Sequence, residues 1–260
     1  MLKNFMKTAI RSLVRHRNYT LINITGLTLG IPGALIIFLV LQHELGFDRH
    51  QQNYHKAWRV VTHYQDGDGT GYQVGVPVPF YEAFKTDFPE VAHFVQLVEH
   101  NNLFVVSYRD PGSGTDRSIE QEDNELAWTV PGYFNMLDYE VLYGDPQAAL
   151  KSPASLVISE KAATRLFGNA AAANGQVIQI DGEQEFTVAA VVRPVNEKTD
   201  FPFQYFAPYE SYPVEESMKE WGSTWSQHQA WMVLQDAAQA QDIEQRLVSF
   251  REKHIENNDL

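Results

Sequence analysis

Asp66, Gly67, Asp68, Gly69, Thr70 and Gly71 space oxygen donors as a calcium loop begins. Such a loop closes on a bidentate glutamate at its twelfth position, and the residue there is Pro77. A tight hairpin turn accounts for the same residues. His43, His50, His55 and His63 crowd together beside Glu44 and Asp48, but no two stand four apart as a helical zinc motif requires. They read as solvated side chains. Gly112, Ser113 and Gly114 lack the G-x-S-x-G elbow of a serine hydrolase and sit in turn chemistry. Neither a P-loop nor a G-x-G-x-x-G strand–helix turn is present, so this chain is not expected to hydrolyse nucleotide. No catalytic, cofactor-binding or metal-ligating residue is therefore assigned, and no cofactor is expected.

Surface binding is the remaining chemistry. Phe201, Phe203, Tyr205, Phe206, Tyr209 and Tyr212, broken by Pro202, Pro208 and Pro213, could offer an apolar patch to a lipid-like ligand or a protein. Most aromatics are buried, so a core-lining loop is the better reading.

The element that positions everything else is the stretch from Thr20 to Leu41, which holds no charged residue. As a helix it reaches roughly 33 Å, enough for a hydrocarbon core of about 30 Å. Backbone groups in hydrocarbon must bond within the segment, so it must be helical. Pro32 removes one donor and is expected to kink it. Gly26, Gly30 and Gly33 open a groove for a neighbouring helix. Upstream lie Lys3, Lys7, Arg11, Arg15 and Arg17, and no acidic residue precedes Glu44. Basic flanks stay cytoplasmic, which places the N-terminus inside and the large remainder outside. A cleaved signal peptide fits less well, since Gln42, His43, Glu44 and Leu45 follow the apolar core without a small-x-small site. Within the leader, Leu2, Phe5, Met6, Ala9, Ile10, Leu13 and Val14 recur at helical spacing opposite the cations. That pattern predicts an amphipathic helix at the membrane interface.

The net charge of −13 argues against nucleic acid as a partner. Cysteine is absent, so neither disulfides nor thiol chemistry is available. Beyond the span, a strand is expected over Trp58–Tyr64, with Tyr72–Val78 returning after the glycine-rich turn. Pro79 opens a helix through about Phe88, with Phe80, Phe84 and Phe88 on one face and Pro89 ending it. Strands are expected within Val91–Ser107 and Ser118–Val130, and a short aromatic helix from Pro131 to about Leu142. Leu156–Ile158 reads as a buried strand, and Ser159 as the cap of a helix over Glu160–Phe167 closed by Gly168. Val177–Ile180, Asp181-Gly182 and Phe186–Val192 form a hairpin signal. Trp231–Leu234 and Asp242–His254 read as a last strand and helix. Strands and short helices without regular alternation define an α+β domain.

Four stretches, MLKNFMKTAIRSLVRHRNYTLINITGLTLGI, HELGFDRHQQNYHKAWRVV, YFNMLDYEVLYGDPQAALKSPASLVISEKAATRLFG and GQVIQIDGEQEFTVAAVV, follow one another along the chain. Together they resemble the permease subunits of the MacB/FtsX/LolE group of bacterial ABC transporters, with a MacB-like periplasmic core domain. The resemblance implies an amphipathic helix over residues 1–19, a transmembrane helix over 20–43 and a two-lobed mixed α/β extracytoplasmic domain over 44–260. Residues 53–95 and 226–260 would make the membrane-proximal lobe and 96–225 an inserted distal lobe. It further implies a non-catalytic inner-membrane transport permease working with a separate cytoplasmic ABC ATPase and a second permease copy or paralogue. Cargo would be exported by efflux, or lipoproteins and envelope components handled, with a periplasmic or outer-membrane partner. Such permeases carry further spans, so the chain is expected to continue beyond Leu260. Ala190 stands where the group often has glycine and Trp58 where tyrosine is usual. The alternative is a single-pass anchored sensor or adaptor domain; an anchored hydrolase would need a catalytic constellation that the sequence lacks.

Overall fold

Two helices begin the chain, α1 (Leu2–Arg15) and α2 (Arg17–Glu44), with His16 between them. The computed structural model describes residues 2–66, 69–91, 93–196 and 198–255, and not the side chains of residues 2, 3, 65, 66 and 237. On α1, Phe5, Met6, Ile10, Leu13 and Val14 are all more than half exposed and form an apolar stripe. Helix α2 runs unbroken through Pro32 and buries no residue. It is long and apolar enough to cross a membrane. Thr25 and Thr28 donate their hydroxyls to the carbonyls of Leu21 and Ile24, at 2.8 and 2.6 Å. These two hydroxyls are thereby satisfied within the helix, as a hydrocarbon environment demands. The residues up to Arg49 form one compact unit and those from His50 onward another.

The second unit is sheet-rich. Its first half contains β1 (Ala57–Val60), β2 (Thr62–Asp66), β3 (Gly69–Gln73), α3 (Phe80–Asp87), β4 (His93–Glu99), β5 (Phe104–Arg109), β6 (Asp116–Gln121) and β7 (Leu126–Thr129). There follow α4 (Tyr133–Met136), β8 (Tyr139–Gly144), α5 (Pro146–Ala149), β9 (Ser155–Ser159), α6 (Glu160–Phe167) and α7 (Ala170–Ala173). The last elements are β10 (Val177–Ile180), β11 (Gln184–Pro194), β12 (Tyr205–Pro208), β13 (His228–Val233) and α8 (Ala237–His254). Eleven strands make one mixed sheet in the order β1-β13-β4-β7-β12-β9-β11-β10-β5-β6, with β8 also on β11, and β2–β3 is a separate ribbon.

Local signals act as expected where they are strong. Ser159 accepts from the Ala162 N–H at 3.0 Å, and Gly168 closes α6 in the left-handed region. Asp181 and Gly182 both take positive φ, 51° and 72°, as a type I′ turn needs. Leu156, Val157 and Ile158 are fully buried. Leu156 and Ile158 face a core built with α6 and α7, whereas Val157 faces one built with α4, α5 and Phe201, Phe203 and Phe206. A strand covered on both faces must be apolar at every position, which is why no alternation shows. A third core joins Phe80, Phe84 and Phe88 to Ile243 and Phe250 of α8.

Several expectations are revised. The strand at Trp58–Tyr64 is interrupted at Val61, so that β1 joins the large sheet while β2 turns into the ribbon. The turn between β2 and β3 falls on Gly67 and Asp68, outside the described residues. The aromatic helix after Pro131 stops at Met136, and Tyr139–Gly144 becomes a strand on β11, its alternating Tyr139, Val141 and Tyr143 suiting a pleated surface. Gly144 ends it at φ 73°, where a Cβ would lie 2.0 Å from the Ala189 carbonyl oxygen. Only glycine permits that approach. Helix α8 begins at Ala237, earlier than Asp242, because Asp236 accepts from the Ala238 N–H at 3.0 Å. The aromatic run at 201–212, by contrast, is core as its better reading holds: Phe201, Phe203, Tyr205 and Phe206 are buried, and Tyr209 and Tyr212 half-buried.

Candidate functional site

The chain enters and leaves the second unit through adjacent strands. Strand β1 pairs antiparallel with β13 over Ala57–Val60 and Ala230–Val233, and the Leu234 N–H donates to the Lys56 carbonyl at 2.9 Å. The incoming segment is held before β1 begins. The Gln51 side-chain carbonyl accepts from the Asp138 N–H at 2.6 Å, and the Asp138 carboxylate accepts from the Gln52 N–H at 2.7 Å. The Asn53 amide donates to the Asn135 carbonyl at 2.8 Å. Asn135 is itself held by the Gln147 amide at 2.8 Å, in a helix that Asp145 caps through the Gln147 and Ala148 N–H groups. A short polar segment is thus pinned to the corner between α4 and β8. At the surface β8 is tied in turn to β11 and α6: Arg193 of β11 forks onto Glu160 at 2.6 and 2.7 Å and reaches Glu140 of β8 at 2.9 Å.

Helix α8, which follows β13, is clamped separately to α3. Asp87 accepts from Lys253 at 2.6 Å and pairs with the His254 ring at 2.8 Å. These two hydrogen bonds, Lys253 first, hold the Asp87 carboxyl below its usual range. Arg246 Nη1 donates to Glu90 at 2.5 Å, its Nη2 donates to the Asp87 carbonyl at 3.2 Å, and the guanidinium lies 4.4 Å over the Phe88 ring, so an ion pair and a cation–π contact fix the same turn. Deeper in, Arg165 of α6 meets Gln121, Glu125 and Tyr205. Burial pushes the Tyr205 hydroxyl up to about 12. These contacts can transmit displacement; none supplies an activated nucleophile or a paired acid and base.

The residues singled out for chemistry do not converge. His55 packs on Tyr54 and His63 on Tyr72, while His43 packs on Phe47. Among the described residues no three of His, Cys, Asp or Glu could hold one metal ion. The calcium-like loop lies partly outside the described residues. The Gln51, Asn53 and Asp138 latch carries no motif, since its partners stand more than eighty residues apart. The incoming stretch of the second unit, counted in the sequence as part of the membrane exit, was its only signal.

A mixed sheet of this topology behind an apolar helix of spanning length defines the class, an extracytoplasmic domain of the ABC-transporter permease type. The profile of the MacB-like periplasmic core domain matches residues 20–250, and this chain belongs to that family. A crystallised domain of a Porphyromonas gingivalis protein, provisionally assigned as a permease, is similar in fold with a TM-score of 0.62. It shares 16% identity, over 81% of this chain and 86% of that one. No curated protein matches the chain.

Proposed function

We propose that this chain is a non-catalytic permease subunit of a mechanotransmitting ABC transporter. In this reading a separate ATPase hydrolyses ATP on the cytoplasmic face of a bacterial inner membrane. Two permease copies, or this chain and a paralogue, pass the resulting motion through α2 to the periplasmic domain, for export or for handling of lipoproteins and envelope components. A periplasmic or outer-membrane partner would receive the cargo. Residues 53–95 and 226–260 act as a membrane-proximal lobe and 96–225 as the distal lobe inserted between them.

The observation that supports this most directly is the double anchorage of adjacent chain ends. The incoming segment is latched to the α4–β8 corner, and α8, next to it through β13, is clamped to α3. A displacement of either end is carried into a sheet whose central strands β7, β9 and β12 are buried on both faces, and densely packed interiors shift as bodies instead of yielding locally. The apolar stripe and cations of α1 suit a helix lying on the inner leaflet near the ATPase.

The test is co-purification of the chain with the P-loop ATPase encoded beside it, followed by reconstitution. Gln51→Ala with Asp138→Ala should leave ATP hydrolysis intact while export falls severalfold. An ATPase that neither binds the chain nor alters its rate in its presence would sink the proposal.

A further inference from the structure

The β2–β3 ribbon stands off the large sheet, and its two faces differ. On one face the Thr62 hydroxyl donates to the Gly75 carbonyl at 2.7 Å. Gln73, opposite Thr62 in the register, donates its amide to the Thr224 carbonyl at 2.9 Å and accepts from the Thr224 hydroxyl at 2.8 Å. A Cβ at Gly75 would strike the Trp225 carbonyl, so the base of the ribbon lies hard against that segment. Alternation turns the next pair, His63 and Tyr72, to the other face, where their rings meet edge-on at 4.4 Å. His63 is exposed and Tyr72 is 67% exposed. Val61 and Val74, which flank the paired residues at the base, are 40% and 42% exposed. The ribbon is thus an arm with one face fastened to the body and one face bare and apolar.

A two-stranded ribbon is marginal in water until an apolar face is covered. Charge decides what can cover this one. Five of the 20 lysines and arginines precede the apolar stretch of α2, which leaves 15 against all 33 Asp and Glu from Glu44 onward. Two copies of so acidic a domain repel, and like charges brought face to face oppose docking. They meet most readily where charge is absent. Between Arg59 and Glu82 only Asp66 and Asp68 are charged. Arg59 itself is engaged: its Nε donates to the Val74 carbonyl at 3.2 Å, and its guanidinium lies 5.3 Å over the Trp231 ring. A basic partner would be drawn to the acidic remainder of the domain instead, and an anionic lipid surface needs a cluster of cations that this face lacks.

We propose that the face made by Val61, His63, Tyr72 and Val74 docks on the same face of a second copy of this chain, the two ribbons related by a twofold axis. Such an interface is isologous, each ribbon covering the other's apolar face. Four side chains a partner fall far short of the roughly 20–30 residues a side of a stable interface, so free copies stay apart and copies confined to one membrane pair. The inference rests on the permease reading only for the second copy in that membrane; ATP-driven coupling is not required.

Single cysteines in this cysteine-free chain test it. The full chain carrying Tyr72→Cys is placed in membranes without an ATPase and treated with a short bismaleimide, and Val248→Cys on α8, 62% exposed, is the control. Tyr72→Cys should give a homodimer, identified by mass, at least tenfold faster than Val248→Cys, and neither should crosslink at micromolar concentration in detergent. Adding Val61→Glu and Val74→Glu to Tyr72→Cys should slow the reaction at least fivefold with thermal unfolding unchanged. Should that variant fail to fold, His63→Glu, a change at an exposed side chain, should slow it severalfold. Equal rates for Tyr72→Cys and Val248→Cys, an adduct only with another protein, or a Tyr72→Cys thiol shielded by lipid without homodimer would overturn the proposal. Because no ATPase is present, a failed crosslink leaves ATPase coupling standing, and an ATPase that does not bind leaves the crosslink standing.

Discussion

Cutting the latch at Gln51 should loosen the incoming segment without unfolding the domain. The Gln51 side chain is 8% exposed and accepts from the Asp138 N–H at 2.6 Å. Gln51→Ala leaves that N–H unpaired, which costs about 1–3 kcal/mol for a buried donor. Asp138 is half-buried, so water can reach it and the lower end, about 1–1.5 kcal/mol, is expected. Asp138→Ala also removes the charged acceptor of the Gln52 N–H, and hydrogen bonds to charged groups contribute about 1.5–3 kcal/mol. Both changes break one latch, so the double variant should cost less than their sum. Since 1.4 kcal/mol is tenfold in an equilibrium constant, the larger of the two costs sets the floor, and the amides of residues 52–57 should exchange with deuterium roughly 10–150 times faster. The amides of β9 and β11, held in the central sheet, should stay protected. Hydrogen exchange read by mass spectrometry on the purified chain measures this directly. Unchanged exchange at 52–57 in a folded double variant, or fully additive effects, would refute the latch.

Three further outcomes follow from packing and charge. Phe84 is fully buried against Phe88 and Phe94, with ring distances of 4.5 and 4.4 Å, so Phe84→Ala should destabilise by about 3–5 kcal/mol in a denaturant titration. Gly144→Ala drives a Cβ into the Ala189 carbonyl at a positive φ and should cost at least about 2–3 kcal/mol; a loss below about 0.5 kcal/mol would show that β8 can move off β11. Burial lowers the His228 pKa to about 4. Its contribution to stability is therefore complete above the unfolded value of about 6.5 and is lost as the pH falls toward 4, by at most about 3 kcal/mol. His228→Phe should flatten that part of the pH profile, measured by urea unfolding between pH 7 and 4.

What the sequence made legible was local. Ser159 and Gly168 bracket α6 because a cap and a left-handed stop are decided within one turn of chain. Asp181-Gly182 turned the β10–β11 hairpin for the same reason. The two N-terminal helices were legible in their periodicity and composition, and α2 is long and apolar enough to cross a membrane. The parallel pairings of β9 with β11 and of β7 with β12 left no such mark, being set by contacts that only the assembled sheet defines. Tyr139–Gly144 shows the conflict best: a helical start at Tyr133 was extended across Asp138, where the chain in fact turns and gives its carboxylate to Gln52. Neither half of that latch is visible without the other.

The most direct test of the central claim uses the absence of cysteine. A single spin label at Glu120→Cys, on strand β6, would be placed in the chain and reconstituted with its ATPase in nanodiscs. Inter-copy distances would then be compared without nucleotide, with ATP and after vanadate trapping. The account predicts a distance distribution that shifts with nucleotide and ceases to shift when Gln51 and Asp138 are both alanine. A single unchanged distribution in all three states, with hydrolysis proceeding, would contradict it.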